Sequence, residues 1–223
     1  MLTKSHPRTV VIVPIKPLSL SKSRLSPVLS NIRRNALSLM LLHHVLDCIE
    51  GTRQEVESWI TGGDRTVRTV SYRRGIRFLE DPGSGPNETI EMITRQAFQQ
   101  GADSTVYLPP DLPFLQSSDL DALMDISESL TTLVLAPAER DGGTNAMLMP
   151  KGICFRPYLG EGNSFKKHKE LALLNEWPLQ ICQAPGFAMD LDTPEDFTMC
   201  IKRIPYFIDQ LQNWETFLRT DQT

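Results

Sequence analysis

A chain of 223 residues with 40% apolar content can fill the core of one sizeable α/β domain, and a single domain over residues 1–223 is expected. Its formal charge of -4 opposes a nucleic-acid or membrane-surface role, because both partners demand a cationic face, so any anion site must be local. Cys48, Cys154, Cys182 and Cys200 form no C-x-x-C pair, the N-terminal MLTKSHPRTV lacks an apolar targeting stretch, and no run reaches the roughly 20 apolar residues of a membrane span. A reducing cytoplasm is the expected compartment.

Residues 9–13, TVVIV, predict a buried strand closed by Pro14. The following loop carries Lys16, Lys22 and Arg24, and a helix from Ser30 keeps Leu39, Leu42, Leu46 and Ile49 on one side until Gly51. Strands near 56–61 (VESWIT) and 76–80 (IRFLE) precede the loop DPGSGPNET, where Asn87 is expected to cap a helix ending at Gly101. A strand at 104–108 runs into PPDLP, and a helix starts at Ser118. TTLVLAP (131–137) and TNAMLMP (144–150) predict strands joined by a polar turn. A helix over SFKKHKELALLN and a strand over PLQICQA follow. GFAMDLDTPEDF predicts a short strand entering a helix at Pro194, capped by Thr193. The tail predicts an amphipathic helix with Phe207, Leu211, Trp214 and Leu218 on one side, which could cover a second copy in a homodimer as readily as its own core. Alternating strands and helices imply a mostly parallel sheet with helices on both faces, whose ligands gather at the carboxyl ends of its strands.

Three aspartates fall at predicted strand ends: Asp111 in PPDLP, and Asp190 and Asp192 in MDLDTPED. On a strand, positions i and i+2 share one face about 6.6 Å apart, so both carboxylates of the DLD stretch would converge. Their repulsion is relieved by a divalent cation, and an all-oxygen set without His or Cys favours Mg²⁺ or Mn²⁺ over zinc. Each aspartate alone reads more readily as a cap or turn residue, but together they shift the balance, since Thr193 and Pro194 already serve the helix start and leave Asp192 free. Lys16, Lys22 and Arg24 would face the same edge and suit a polyphosphate, although a solvated surface loop has the same composition. Neither a Walker A nor a G-x-G-x-x-G motif is present. In DPGSGPNET, Gly83 and Gly85 permit close approach of a ligand and Asn87 offers donor and acceptor; in ERDGGTNAM, Gly142 and Gly143 beside Thr144 and Asn145 form an anion cradle or a hairpin turn. The histidines His43, His44 and His168 sit in predicted helices, without a Ser-His-Asp order.

Taken in order, VPIKPLSLSKSRL, DPGSGPNETI, LPPDLPFL, APAERDGGTNAML, NSFKKH and GFAMDLDTPEDF resemble the 2-phospho-L-lactate guanylyltransferases and their phosphoenolpyruvate-using relatives of coenzyme F420 biosynthesis. The resemblance spans roughly residues 8–200 and implies a GT-A-like, Rossmann-like nucleotidyltransferase fold. It further implies GTP as co-substrate, a small phosphorylated carboxylic acid as acceptor, Asp111, Asp190 and Asp192 as metal ligands, and Lys16, Lys22 and Arg24 as the phosphate loop. Asp81, Gly83, Gly85 and Asn87 would serve the nucleotide, and Thr144, Asn145, Gly160 and Ser164 the acceptor. The sequence departs from the family in reading YLGEGNSF, with Glu161 three residues before Ser164 where glycine is usual, and PPDLP and GPN for PADLP and GLN. Alternatives are a molybdopterin or sugar-phosphate nucleotidyltransferase, which the missing glycine-rich first loop disfavours, a glycosyltransferase using DLD, and a non-catalytic nucleotide or phosphometabolite sensor.

Overall fold

The computed structural model describes residues 8–220; the N-terminal stretch weighed above for targeting begins outside them. Seven strands build one sheet: β1 (Thr9–Ile15), β2 (Val56–Gly62), β3 (Arg77–Leu79), β4 (Ser104–Tyr107), β5 (Leu133–Pro137), β6 (Thr144–Pro150) and β7 (Leu179–Ile181), in the spatial order β3-β2-β1-β4-β6-β5-β7. β6 alone is reversed, pairing antiparallel with β4 and β5, while every other pairing is parallel. The carboxyl ends of β1, β2, β4 and β5 therefore share one rim with the amino end of β6.

β1 shows why the sheet is covered on both sides. Val11 and Val13 enter one core and Val10 and Ile12 the other, as a period of two requires. The first core receives α1 (Asn31–Glu50), α2 (Arg65–Arg73), α4 (Ser117–Asp125), α6 (Pro194–Arg203) and α7 (Phe207–Thr220); the second receives α3 (Pro86–Gln99) and α5 (Ser164–Leu174). α1 starts where Ser30 accepts the Arg33 N–H at 3.5 Å. α7 lies across it, with Trp214 on the His43 ring at 4.5 Å and Glu215 paired to Arg33 at 3.3 Å. Phe207, Leu211 and Leu218 are buried there, each worth about 1.5–3 kcal/mol over exposure. The apolar face that could have met a second copy is spent within the chain.

Three local expectations are corrected. The helix α2 was not anticipated, because RTVRTVSYR is rich in β-branched residues, yet Asp64 caps it by accepting the Thr66 and Val67 N–H groups at 2.9 and 3.2 Å. Asn87 is not the cap of α3: Gly85 takes that place with Pro86 first in the helix. Residues 188–192 are not a strand, so the pleat does not bring Asp190 and Asp192 together.

Candidate active site

The loop after β1 folds as two 3-10 turns, Leu18–Leu20 and Ser23–Leu25, held down by buried Leu18 and Leu25. Asp64, which caps α2, also accepts the Leu18 N–H at 3.0 Å, so one carboxylate fixes both loop and helix. Between the turns Lys22 adopts the left-handed conformation, φ 54°, a region sparsely used by side-chain-bearing residues. That twist sends its side chain inward, where 6% remains exposed. Its Nζ donates to Asp111 Oδ2 at 2.7 Å and Asp192 Oδ1 at 3.0 Å. Arg24 stands 3.6 Å from Asp192 with most of its side chain in solvent. Lys16, exposed, lines the same cavity of about 360 Å³ as Lys22, Arg24, Asp111 and Asp192, a size in the usual range for small-ligand sites.

What converges the carboxylates is a single backbone bond. Leu191 N–H donates to Asp111 O at 2.9 Å while the Leu191 side chain is fully buried, leaving Asp190 and Asp192 on the rim beside Asp111. Carboxylate oxygens of all three lie within 4.8 Å of one another. Burial, then repulsion from Asp111 and Asp192, pushes the Asp190 carboxyl up to about 6. Burial disfavours the Lys22 ammonium, but the two carboxylates it touches outweigh that and raise it. Three acids against one buried ammonium leave an excess of negative charge. At 4 Å and an effective dielectric near 20 each like pair costs about 4 kcal/mol. Three converging hard oxygen donors of this kind fit a divalent cation. Tyr107, at the end of β4, feels the same field: burial and the three aspartates push its phenol well above the ordinary range.

Asp196 holds this segment in place. Its carboxylate accepts the N–H groups of Asp192 at 3.0 Å and Thr193 at 2.7 Å, closes the capping box of α6 with Thr193, and pairs with Arg140. Burial opposes ionisation of Asp196, but these bonds overcome it and hold its carboxyl below the usual range. The box T-P-E-D was the legible signal for this role.

Neither Asp190 nor the remaining predicted residues line this cavity. Asp81 accepts the Gly83 N–H at 2.9 Å and the Thr89 hydroxyl at 3.1 Å. Asn87 is buried, and its amide is taken up by the chain: Nδ2 donates to Leu159 O at 3.2 Å and Glu161 Oε1 at 3.0 Å, and Oδ1 accepts the Leu159 N–H at 2.9 Å. Asn145 bridges β6 to the turn before the aspartates, donating to Phe187 O at 2.8 Å. The GG stretch is a hairpin turn: Ala138 N–H reaches Gly143 O at 3.0 Å, and the Gly143 N–H is satisfied by Asp141 at 2.8 Å, which withdraws it from an anion cradle. Thr144 and Ser164 are buried together, the Ser164 hydroxyl donating to Thr144 Oγ1 at 3.3 Å. Gly160, φ 72°, sits in the exposed loop ahead of Ser164. His168, which composition left undistinguished among lysines, is fully buried and bonded to Thr144.

The mostly parallel sheet with one reversed strand is a nucleotidyltransferase-like fold, with acids and cations at its carboxyl rim. Solved structures share the fold: a Desulfovibrio desulfuricans G20 protein provisionally described as a nucleotide-diphospho-sugar transferase (TM-score 0.74, 18% identity, 95% of this chain and 97% of that one) and a 4-diphosphocytidyl-2C-methyl-D-erythritol synthase (TM-score 0.60, 14%, 86% and 97%). The chain belongs to the CofC-like guanylyl transferase family, whose model matches residues 9–202. It is 35% identical to the phosphoenolpyruvate guanylyltransferase of Sphaerobacter thermophilus over 84% of this chain and 90% of that protein. It is 31% identical to the 3-phospho-D-glycerate guanylyltransferase of Phenylobacterium zucineum (79% and 82%), and 28% identical to the 2-phospho-L-lactate guanylyltransferase of Methanocaldococcus fervens (83% and 81%).

Proposed function

We propose that the chain transfers the guanylyl group of GTP to a small phosphorylated carboxylic acid: phosphoenolpyruvate, 2-phospho-L-lactate or 3-phospho-D-glycerate. The observation that carries this reading is the meeting of three carboxylates within 4.8 Å, two of which, Asp111 and Asp192, grip the buried Lys22 ammonium in the cavity wall, in a chain of this family. An oxygen of the acceptor's phosphate attacks the α-phosphorus of GTP, a P–O bond forms, and the bond to the bridging oxygen of the leaving pyrophosphate breaks. An acceptor phosphate with a second pKa near 6 is largely ionised at neutral pH, so no side chain need act as base. The difficulty is repulsion between a triphosphate and a dianion, and the protein's part is neutralisation and alignment.

Asp111, Asp190 and Asp192 would hold Mg²⁺ or Mn²⁺, which when bound supplies charge neutralisation between the two substrates. Lys22, now clamped on Asp111 and Asp192, would exchange carboxylate for phosphate oxygens when the nucleotide enters. Arg24 and Lys16 take outer phosphates from their exposed positions, and Asp81, Gly83 and Gly85 flank the nucleoside. Asn87 serves indirectly, by bracing the loop of residues 159–161. Thr144, Asn145, Gly160 and Ser164 form the acceptor's side.

The test is pyrophosphate release from GTP and Mg²⁺ with each of the three acids in turn, and with an equal concentration of inorganic phosphate as control. Acid-dependent release with one of them is expected; release with none would sink the reading.

A further inference from the structure

His168 is fully buried, and the Tyr158 backbone N–H donates to its Nε2 at 2.9 Å. A nitrogen that accepts carries no proton, so the proton of the neutral ring sits on Nδ1. Nδ1–H therefore donates to Thr144 Oγ1, 2.9 Å away. Burial, with the Lys167 ammonium near and Glu161 opposing it only in part, pushes the imidazole down to about 4, so the ring stays neutral.

Thr144 Oγ1 then receives two hydrogen bonds, from His168 Nδ1 and from the Ser164 hydroxyl at 3.3 Å. Both lone pairs are occupied, and the hydroxyl's own proton can only be given away to a third group. On the other side, the Tyr158 N–H that reaches His168 lies in the loop leading to Gly160, and Asn87 braces the next residue of that loop through bonds to the Leu159 backbone at 2.9 and 3.2 Å.

We propose that His168 is a positioning residue for the acceptor: one imidazole ties Thr144 of β6 to the Gly160 loop and obliges the Thr144 hydroxyl to act as donor toward the acceptor's anionic oxygens. The inference rests on the guanylyl-transfer reading and deepens it, since that reading assigns His168 nothing.

Three variants separate the two links. H168F removes both while keeping a ring; H168N keeps a donor near the Nδ1 position; H168Q keeps an acceptor near the Nε2 position. For whichever acid the wild type consumes, H168F should raise its KM at least tenfold while the KM for GTP stays within twofold, and H168N should recover most of the loss. A T144V/H168Q double variant should have an acid KM no worse than T144V alone, because the one link that glutamine lacks is the link to that hydroxyl. Nitrogen NMR of the wild-type ring should show the Nδ1–H tautomer at neutral pH, whatever the activity. An unchanged acid KM in H168F, additive effects in the double variant, or an Nε2–H tautomer would each overturn the inference alone. A wild type inert with every acid would remove the guanylyl-transfer reading, and this inference with it.

Discussion

Lys22 and Arg24 carry the same charge in the same loop, yet their surroundings make only Arg24 responsive to salt. The Lys22 side chain is 6% exposed and bonded to two carboxylates, whereas that of Arg24 is 72% exposed. Mobile ions screen exposed charges far more than buried ones. Lys22→Ala should therefore lower kcat/KM for GTP about equally at low and high ionic strength, while the loss in Arg24→Ala shrinks as salt rises; steady-state kinetics at both salt levels decides. Asp190 makes the complementary case. Its ionised form is opposed by burial and two neighbouring acids, so Asp190→Asn relieves repulsion in the free protein. Turnover should fall at least tenfold, about 1.4 kcal/mol, with a thermal midpoint no lower than that of the wild type. A lowered midpoint with normal turnover would contradict the assignment.

At the scale of elements, α6 and the irregular segment before it behave as one unit because Asp196 serves both. Replacing it with alanine strands the Asp192 and Thr193 N–H groups and the Arg140 partner. Asp196→Ala should destabilise the fold by about 1–3 kcal/mol and also lower turnover, whereas Ser30→Ala, which removes the cap of α1 at a residue that does not line the cavity, should cost about 1 kcal/mol without affecting turnover. Denaturant melts and pyrophosphate assays on both variants check the contrast. How far such elements were legible depended on whether local pattern and tertiary packing agreed. TNAMLMP matches β6 residue for residue because its AMLMP run is apolar and the segment is bounded by turn residues. In α2 the β-branched residues masked a helix whose true signals were Asp64 at its start and Val67 and Val70 on its inner side. The DLD stretch alternates like a strand, but its geometry is set by the Leu191 bond to the Asp111 carbonyl, a contact across the fold that local pattern cannot carry. His168 was hidden by exposed Lys166 and Lys169; its spacing from Ser164 and Ala172, four residues each way on the buried stripe of α5, was the available clue.

For the whole molecule, half-buried His43 and fully buried His168 set the direction of acid sensitivity. Burial, with Arg74 close by, pushes His43 down to about 4, and burial does the same to His168. Between the ordinary histidine value near 6.5 and about 4 the unfolded chain binds protons that the folded chain refuses, so stability is present above pH 6.5 and is lost as pH falls toward 4. Asp190 acts in the opposite sense, because a carboxyl raised to about 6 takes up its proton while folded, but one such group does not offset two. Urea midpoints should decline from pH 7 to pH 4.5, and H168Q, starting lower, should show a shallower decline; a wild-type midpoint that is constant or rises on acidification would refute the assignment of neutral buried rings. Among the described residues no helix is long and apolar enough to cross a membrane.

The reversal of β6 has a consequence for how this scaffold diversifies. By turning back along β4 and β5, the chain delivers the groups proposed for the acceptor, Thr144, Asn145, Gly160, Ser164 and His168, from one contiguous stretch of sequence, while the loop proposed for the nucleotide comes from the first half. Replacing residues 138–168 as a cassette would then exchange the choice of acid and leave the handling of GTP untouched, a modular inheritance in which relatives can part ways over one substrate while keeping the other.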